Sequence, residues 1–170
     1  LWRDSALAEH ASVAAFARFT LELLTLGAPA ELIEETQRAM GDEIRHARLC
    51  FSLSSIFEGH SVGPGEFEGA GIGSAVRLTD TMMGLVLDGC INETIAAAVV
   101  QAESQCASDK ALGGLLAELA EDERRHSTLS WKALRWILNQ HPERRAEVKG
   151  WFAEGLAAQW NQEVEEHTWS

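Results

Sequence analysis

Two stretches, DEIRH at 42–46 and DERRH at 122–126, each set a Glu and a His three residues apart in otherwise apolar surroundings. On a helix, residues three apart share a face, so Glu43 with His46, and Glu123 with His126, present a carboxylate beside an imidazole. Turned toward a core, such groups cost about several kcal/mol each unless they are paired. A divalent cation offsets that cost, as does protonation of the carboxylates. Mixed carboxylate oxygen and imidazole nitrogen suits iron or manganese better than calcium, or than an ion that prefers thiolate. Two further carboxylates, Glu9 in AEHASVAAF and Glu93 in NETIAAAVV, stand among small and branched apolar residues.

These residues need elements to position them. Apolar residues recur at spacings of three and four, and the chain has only 3 Pro, so the expected class is all-α. A first helix is expected over about 4–27, from Asp4 as N-cap to Gly27, and a second over 29–58 with Pro29 in its first turn. The stretch GHSVGPGEFEGAGIG at 59–73 carries six Gly in fifteen residues, which excludes helix. A third helix is expected over 74–106, a fourth over 109–139, and a fifth, opened by Pro142, over 142–168. Short links force antiparallel neighbours, whereas a link of about fifteen residues crosses the length of a bundle. The expected architecture is therefore a four-helix bundle of two antiparallel hairpins joined by a long crossover, plus a fifth C-terminal helix, in one domain over 1–170.

Heights and faces bring the four Glu together. Glu9 lies 18 residues before Gly27, roughly 27 Å along its helix, and Glu43 lies 14 after Pro29, roughly 21 Å. Glu93 and Glu123 each lie 15 residues from Ser108, roughly 22 Å. Steps of three and four from Glu43 and His46 meet Met40, Ala47, Cys50, Leu53 and Phe57. From Glu123 and His126 they meet Leu112, Leu115, Leu116, Leu119, Leu129 and Ala133. Glu9 shares its stripe with Val13, Phe16 and Leu23, and Glu93 with Val86, Cys90, Ala97 and Val100. No Lys or Arg stands on these stripes. Four carboxylates with two neutral imidazoles balance two divalent cations, the di-metal carboxylate pattern of one Glu from each of two helices and Glu-x-x-His from each of the other two. Asp42 and Asp122, four residues before the His, can accept the free imidazole N–H, and Arg45 and Arg125 can hold those Asp in place.

Over residues 4–139 the chain resembles the ferritin-like superfamily of non-haem di-iron carboxylate proteins. The doubled Asp-Glu-x-Arg-His is more similar to the hydroxylase subunits of bacterial di-iron monooxygenases than to storage ferritins. The resemblance implies Glu9, Glu43, His46, Glu93, Glu123 and His126 as ligands of two Fe ions, or of Fe/Mn or Mn/Mn, with Glu43 and Glu123 as bridges. It implies an oxidoreductase that activates O2 on an unknown organic or peptide substrate and draws on an electron donor. Two alternatives stand beside it: a ferroxidase or iron-storage protein, for which a closed assembly is required, and a helical interaction module without metal. With no Tyr in the chain, a tyrosyl-radical mechanism is excluded, and three Cys do not supply the four-Cys iron site of rubrerythrins.

Other features carry bland readings. A net charge of −12 argues against a nucleic-acid surface. Cys50, Cys90 and Cys106 form no Cys-x-x-Cys, which favours a reducing compartment such as the cytoplasm over a disulfide framework. Cys50 and Cys90 read as small core residues. His10 reads as a surface or second-layer residue, Glu103 as lying at the rim of its stripe, and EVEEH at 163–167 as a solvated charge run. GAGIGS at 69–74 follows no strand, so it is no dinucleotide loop. Trp131, Trp136, Trp151 and Trp160 read as packing. No uninterrupted apolar run reaches about 18 residues, so no spanning helix is expected. The chain opens at Leu1 rather than Met, which leaves an upstream leader or domain open, and the Trp-rich fifth helix can pack on its own bundle or on a second copy.

Overall fold

The computed structural model of the chain describes residues 2–66 and 75–167, with side chains described to 161. It is all-α, with no strand among the described residues. The chain forms two compact units, Leu1–Val76 and Arg77–Ser170, each built on one helical hairpin.

In the first unit, α1 (Trp2–Thr25) and α2 (Ala30–Glu58) pack against each other. The turn between them is dictated locally. Gly27 takes φ +72, which only glycine adopts without strain, so Gly27 N–H reaches Leu24 O at 3.2 Å and Ala28 N–H reaches Leu23 O at 2.9 Å. Pro29, at φ −58, then starts α2 without needing an amide hydrogen. Gly59, at φ +73, ends α2 by donating to Ser55 O at 3.1 Å. At this end of the hairpin, Ala6, Ala47, Cys50 and Phe51 form a buried cluster covered by Trp2 and Val62. Ser55 Oγ accepts from Val62 N at 2.9 Å, which ties the start of the crossover to α2.

In the second unit, α3 (Leu78–Cys106), α4 (Lys110–Gln140) and α5 (Arg145–His167) pack together. Asp109 caps α4: its Oδ1 accepts from Ala111 N at 2.7 Å and Leu112 N at 3.1 Å. Pro142–Arg144 make a single 3-10 turn before α5. The core is Met82, Leu85, Val86, Cys90 and Ile91 of α3, and Leu116, Leu119, Leu129, Ala133, Leu134 and Ile137 of α4. The appended α5 packs on its own unit through buried Val148 and through Phe152, whose ring stacks on Trp131 at 5.1 Å.

Several sequence expectations shift. Asp4 lies inside the first turn of α1 rather than capping it, where its charge still complements the helix dipole. The third helix starts at Leu78 rather than near 74, because Arg77 is extended (φ −116, ψ 124); the stretch 67–74, with GAGIGS, lies outside the described residues. Phe57 was placed on the inward stripe but is 72% exposed. It stands in the last turn of α2, which has 29 residues against the 24 described for α1. Leu115 is likewise exposed, and the stripe of α4 runs through Leu116 instead. Within α3, residues Leu85–Asn92 are π-helical, which no spacing in the sequence signals.

The expectation that no segment could span a membrane is also corrected. By length and composition, α3 is long and apolar enough to cross one. Its hydropathy is interrupted by Asp88 and Glu93, and a charge near a bilayer centre costs about 2.5–3.5 kcal/mol.

Candidate metal centre

Each hairpin gathers its own Glu, Glu and His. In the first unit, α1 supplies Glu9 and α2 supplies Glu43 and His46. His46 Nδ1 lies 3.4 Å from Glu9 Oε2 and 3.9 Å from Glu43 Oε2. In the second, α3 supplies Glu93 and α4 supplies Glu123 and His126. His126 Nδ1 lies 3.3 Å from Glu123 Oε2 and 3.9 Å from Glu93 Oε2. Within each triad the donor atoms lie within 4.8 Å of one another.

Burial makes these triads expensive. Glu43 is 1% exposed, Glu123 5%, His46 3% and His126 1%, while Glu9 and Glu93 are half-buried. The separations of 3.3–3.9 Å exceed a hydrogen bond, which runs about 2.7–3.2 Å. The two shorter ones, 3.3 and 3.4 Å, fall in the roughly 3–3.5 Å that separates two donors on one ion at about 2.0–2.2 Å from each, and the two at 3.9 Å are longer. Carboxylate and neutral imidazole are the donor types of a borderline divalent cation, so each triad can hold one.

Charges near the triads are arranged in the same way twice. Arg45 Nη2 pairs with Asp42 Oδ1 at 2.6 Å, and Arg125 Nη2 pairs with Asp122 Oδ1. Arg45 and Arg125, each next to its His, are thus engaged by the preceding Asp, and Arg124, next to Glu123, pairs with Glu121. Glu22 on α1 shows the ordinary alternative. It is a buried carboxylate missed by the sequence reading, and it is held by its own Arg18 at 2.9 Å.

Residues around the triads fall mostly as the spacing predicts. Val86, Cys90, Leu116, Leu119, Leu129 and Ala133 are buried, as are Phe16, Leu23, Ala47 and Cys50. Glu103 is exposed and stands apart from both triads. His10 is half-buried, its ring edge against Phe51 with centroids 6.4 Å apart. Trp136 and Trp151 are half-buried, whereas Trp160 is 72% exposed, so packing accounts for only part of the Trp set. The side chains of EVEEH lie outside the described residues. An open apolar hollow at the α1–α2 turn, lined by Leu24, Ala28, Ile33, Glu34 and Arg38 among others, contains no residue of either triad.

The three Cys differ in a way that can be measured. Cys50 and Cys90 are buried and Cys106 is exposed. Burial pushes the Cys90 thiol up to about 12, so it stays protonated and inert at neutral pH. Titration of the native protein with a thiol-reactive dye is expected to modify one Cys, Cys106, and the denatured protein all three. Rapid native modification of a second thiol would contradict the burial.

No sequence signal anticipated the hydroxyl pair Thr94 Oγ1 and Ser127 Oγ, 2.6 Å apart across α3 and α4, beside Glu93 and His126. No protein-family model, curated protein or solved structure matches the chain.

Proposed function

We propose that the two hairpins close into a four-helix, ferritin-like bundle in which both triads share one pair of divalent cations, making the chain a non-haem di-iron carboxylate oxidoreductase. One observation carries this reading: a buried Glu and His with a half-buried Glu beside them recur in both hairpins, with the same helix spacing and the same Asp–Arg pair next to them. The matching heights of the four Glu from their hairpin turns then bring the triads to mid-bundle, where four carboxylates and two cations of charge +2 neutralise each other.

Glu43 and Glu123 would be the carboxylates shared in this centre, and Glu9 with His46, and Glu93 with His126, would complete the donor set. Because each Nδ1 faces carboxylates, Nε2 is the nitrogen left to carry the proton. Asp42 and Asp122 accept that N–H, fix the tautomer, and are themselves held by Arg45 and Arg125. When bound, an iron pair supplies electrons to O2. The half-buried small residues Ser12, Ala96 and Ala97 leave room for a gas or a modest substrate beside the carboxylates. Such chemistry would call for an electron donor as co-reactant and an organic or peptide molecule as the substrate to be oxidised. A role away from membranes goes with this reading, because Asp88 and Glu93 interrupt α3, the one helix among the described residues that is long and apolar enough to span one.

Anaerobic loading with Fe(II), followed by mixing with O2 and optical spectroscopy, tests the reading. Two Fe(II) per chain, and a discrete visible band that forms and then decays, are expected. Continued uptake beyond two ions with a featureless absorbance rise points to ferroxidase and storage chemistry, particularly from a 24-subunit shell. Absence of Fe uptake selects the metal-free module.

A further inference from the structure

The π-helical segment Leu85–Asn92 ends immediately before Glu93, so the direction in which Glu93 leaves α3 depends on how that segment is held. A π turn is less favourable than an α turn and persists where its surroundings over-determine it. Gly89, in the middle of the segment, lies directly against α4: a Cβ there would stand 2.6 Å from the Ser130 Cβ, closer than side chains tolerate. Ser130 is buried, and its hydroxyl donates to His126 O at 3.1 Å, one turn from the His126 side chain. Further along α3, Thr94 Oγ1 donates to Cys90 O at 2.6 Å and sits 2.6 Å from Ser127 Oγ. Glu93 and His126 are thus bracketed by two close contacts between the same pair of helices.

We propose that the Gly89–Ser130 contact sets the spacing of α3 and α4, and through it the Glu93–His126 separation, so that Gly89 is a positioning residue for metal binding by the second hairpin. The inference rests on the metal-centre reading above. A single methyl group at position 89 has nowhere to go, because what it meets is the rigid first atom of a side chain on the facing helix. Gly155 of α5 touches the same π segment from another side, and there a Cβ would meet only the tips of Ile91 and Leu87, at 2.7 Å each. Those tips can rotate away. The two glycines therefore separate helix spacing from mere crowding of the segment.

The test is anaerobic titration with Co(II), read by its visible ligand-field spectrum alongside melting. The unmodified protein is expected to take two Co(II) per chain; failure of that result overturns the metal-centre reading and is distinguishable from everything that follows. Gly89→Ala is expected to keep its helix content but to weaken one of the two binding events on the order of tenfold or more and to alter its band. Gly155→Ala is expected to bind as the unmodified protein does. The double variant Gly89→Ala with Ser130→Gly restores the space, so affinity and spectrum should return. Unchanged Co(II) binding by a folded Gly89→Ala, or equal damage from Gly155→Ala, would overturn the inference. Should Gly89→Ala not fold, the double variant decides alone: recovery of fold and both Co(II) sites upholds the contact, and absence of recovery refutes it.

Discussion

Replacing either Glu43 or Glu123 with Ala is expected to abolish loading of the metal pair, while Glu103→Ala leaves two ions in place. Glu43 and Glu123 are the most buried of the four carboxylates, at 1% and 5% exposure, and each stands on the same helical face as a His three residues later. If Glu43 and Glu123 are shared by two ions as proposed, loss of either would remove one donor from each ion and one of the four charges that would balance them. The expected result is a fall from two bound ions per chain to fewer than one, measured by elemental analysis after gel filtration. Glu103 is exposed and belongs to neither triad, so its removal changes only surface charge. Loss of metal in Glu103→Ala would put that residue into the ligand set. His46→Ala should also lose one ion, and a His46→Ala chain that still holds two would discredit the assignment of α2.

The second large effect is on stability. With the ions removed by a chelator, the chain must bury carboxylates without the charge that balances them, and an uncompensated buried charge costs about 3–5 kcal/mol. Binding at a thousandfold excess over Kd contributes about 4 kcal/mol by mass action. For a chain of 170 residues, a loss of that size lowers the melting temperature by roughly 8–16 °C. Glu43→Gln keeps the shape of the side chain and removes its charge. The metal-free Glu43→Gln chain is therefore expected to melt above the metal-free unmodified chain, and to gain little when Fe(II) is added. Differential scanning calorimetry with and without chelator measures both. Equal melting of the unmodified protein in the two conditions would show that its carboxylates are satisfied without an ion.

The legible parts of this molecule are those fixed by short-range chemistry. Gly27, Pro29 and Pro142 are legible at helix ends because left-handed glycine and proline act within a few residues of themselves, and the structure uses each of them as a boundary, whereas Asp4, read as a cap, lies inside its helix. The Glu-x-x-His pairs were legible because three residues apart on any helix means one face, whatever the rest of the fold does. Glu9 and Glu93 were placed by counting from the turns, which works because the helices of a short-linked hairpin share a zero of height. Other features depend on contacts that no spacing encodes. Phe57 keeps step with the core stripe of α2, yet stands exposed in the helix's last turn. The π segment of α3 has an ordinary helical pattern, and its only trace in the sequence is Gly89, whose missing side chain matters because of Ser130, 41 residues away. Glu22 was overlooked because its counter-charge, Arg18, sits on its own helix one turn earlier and looks like any exposed pair.

The most direct measurement is Mössbauer spectroscopy with parallel EPR on protein loaded with iron and then oxidised. Two hairpins that share one pair of ions through Glu43 and Glu123 require two ferric ions per chain, coupled antiferromagnetically through the carboxylate bridge and silent in EPR. Two uncoupled high-spin ferric signals would mean that each triad holds its ion alone, and absence of stoichiometric iron would mean that neither is a metal site; either result contradicts the shared centre.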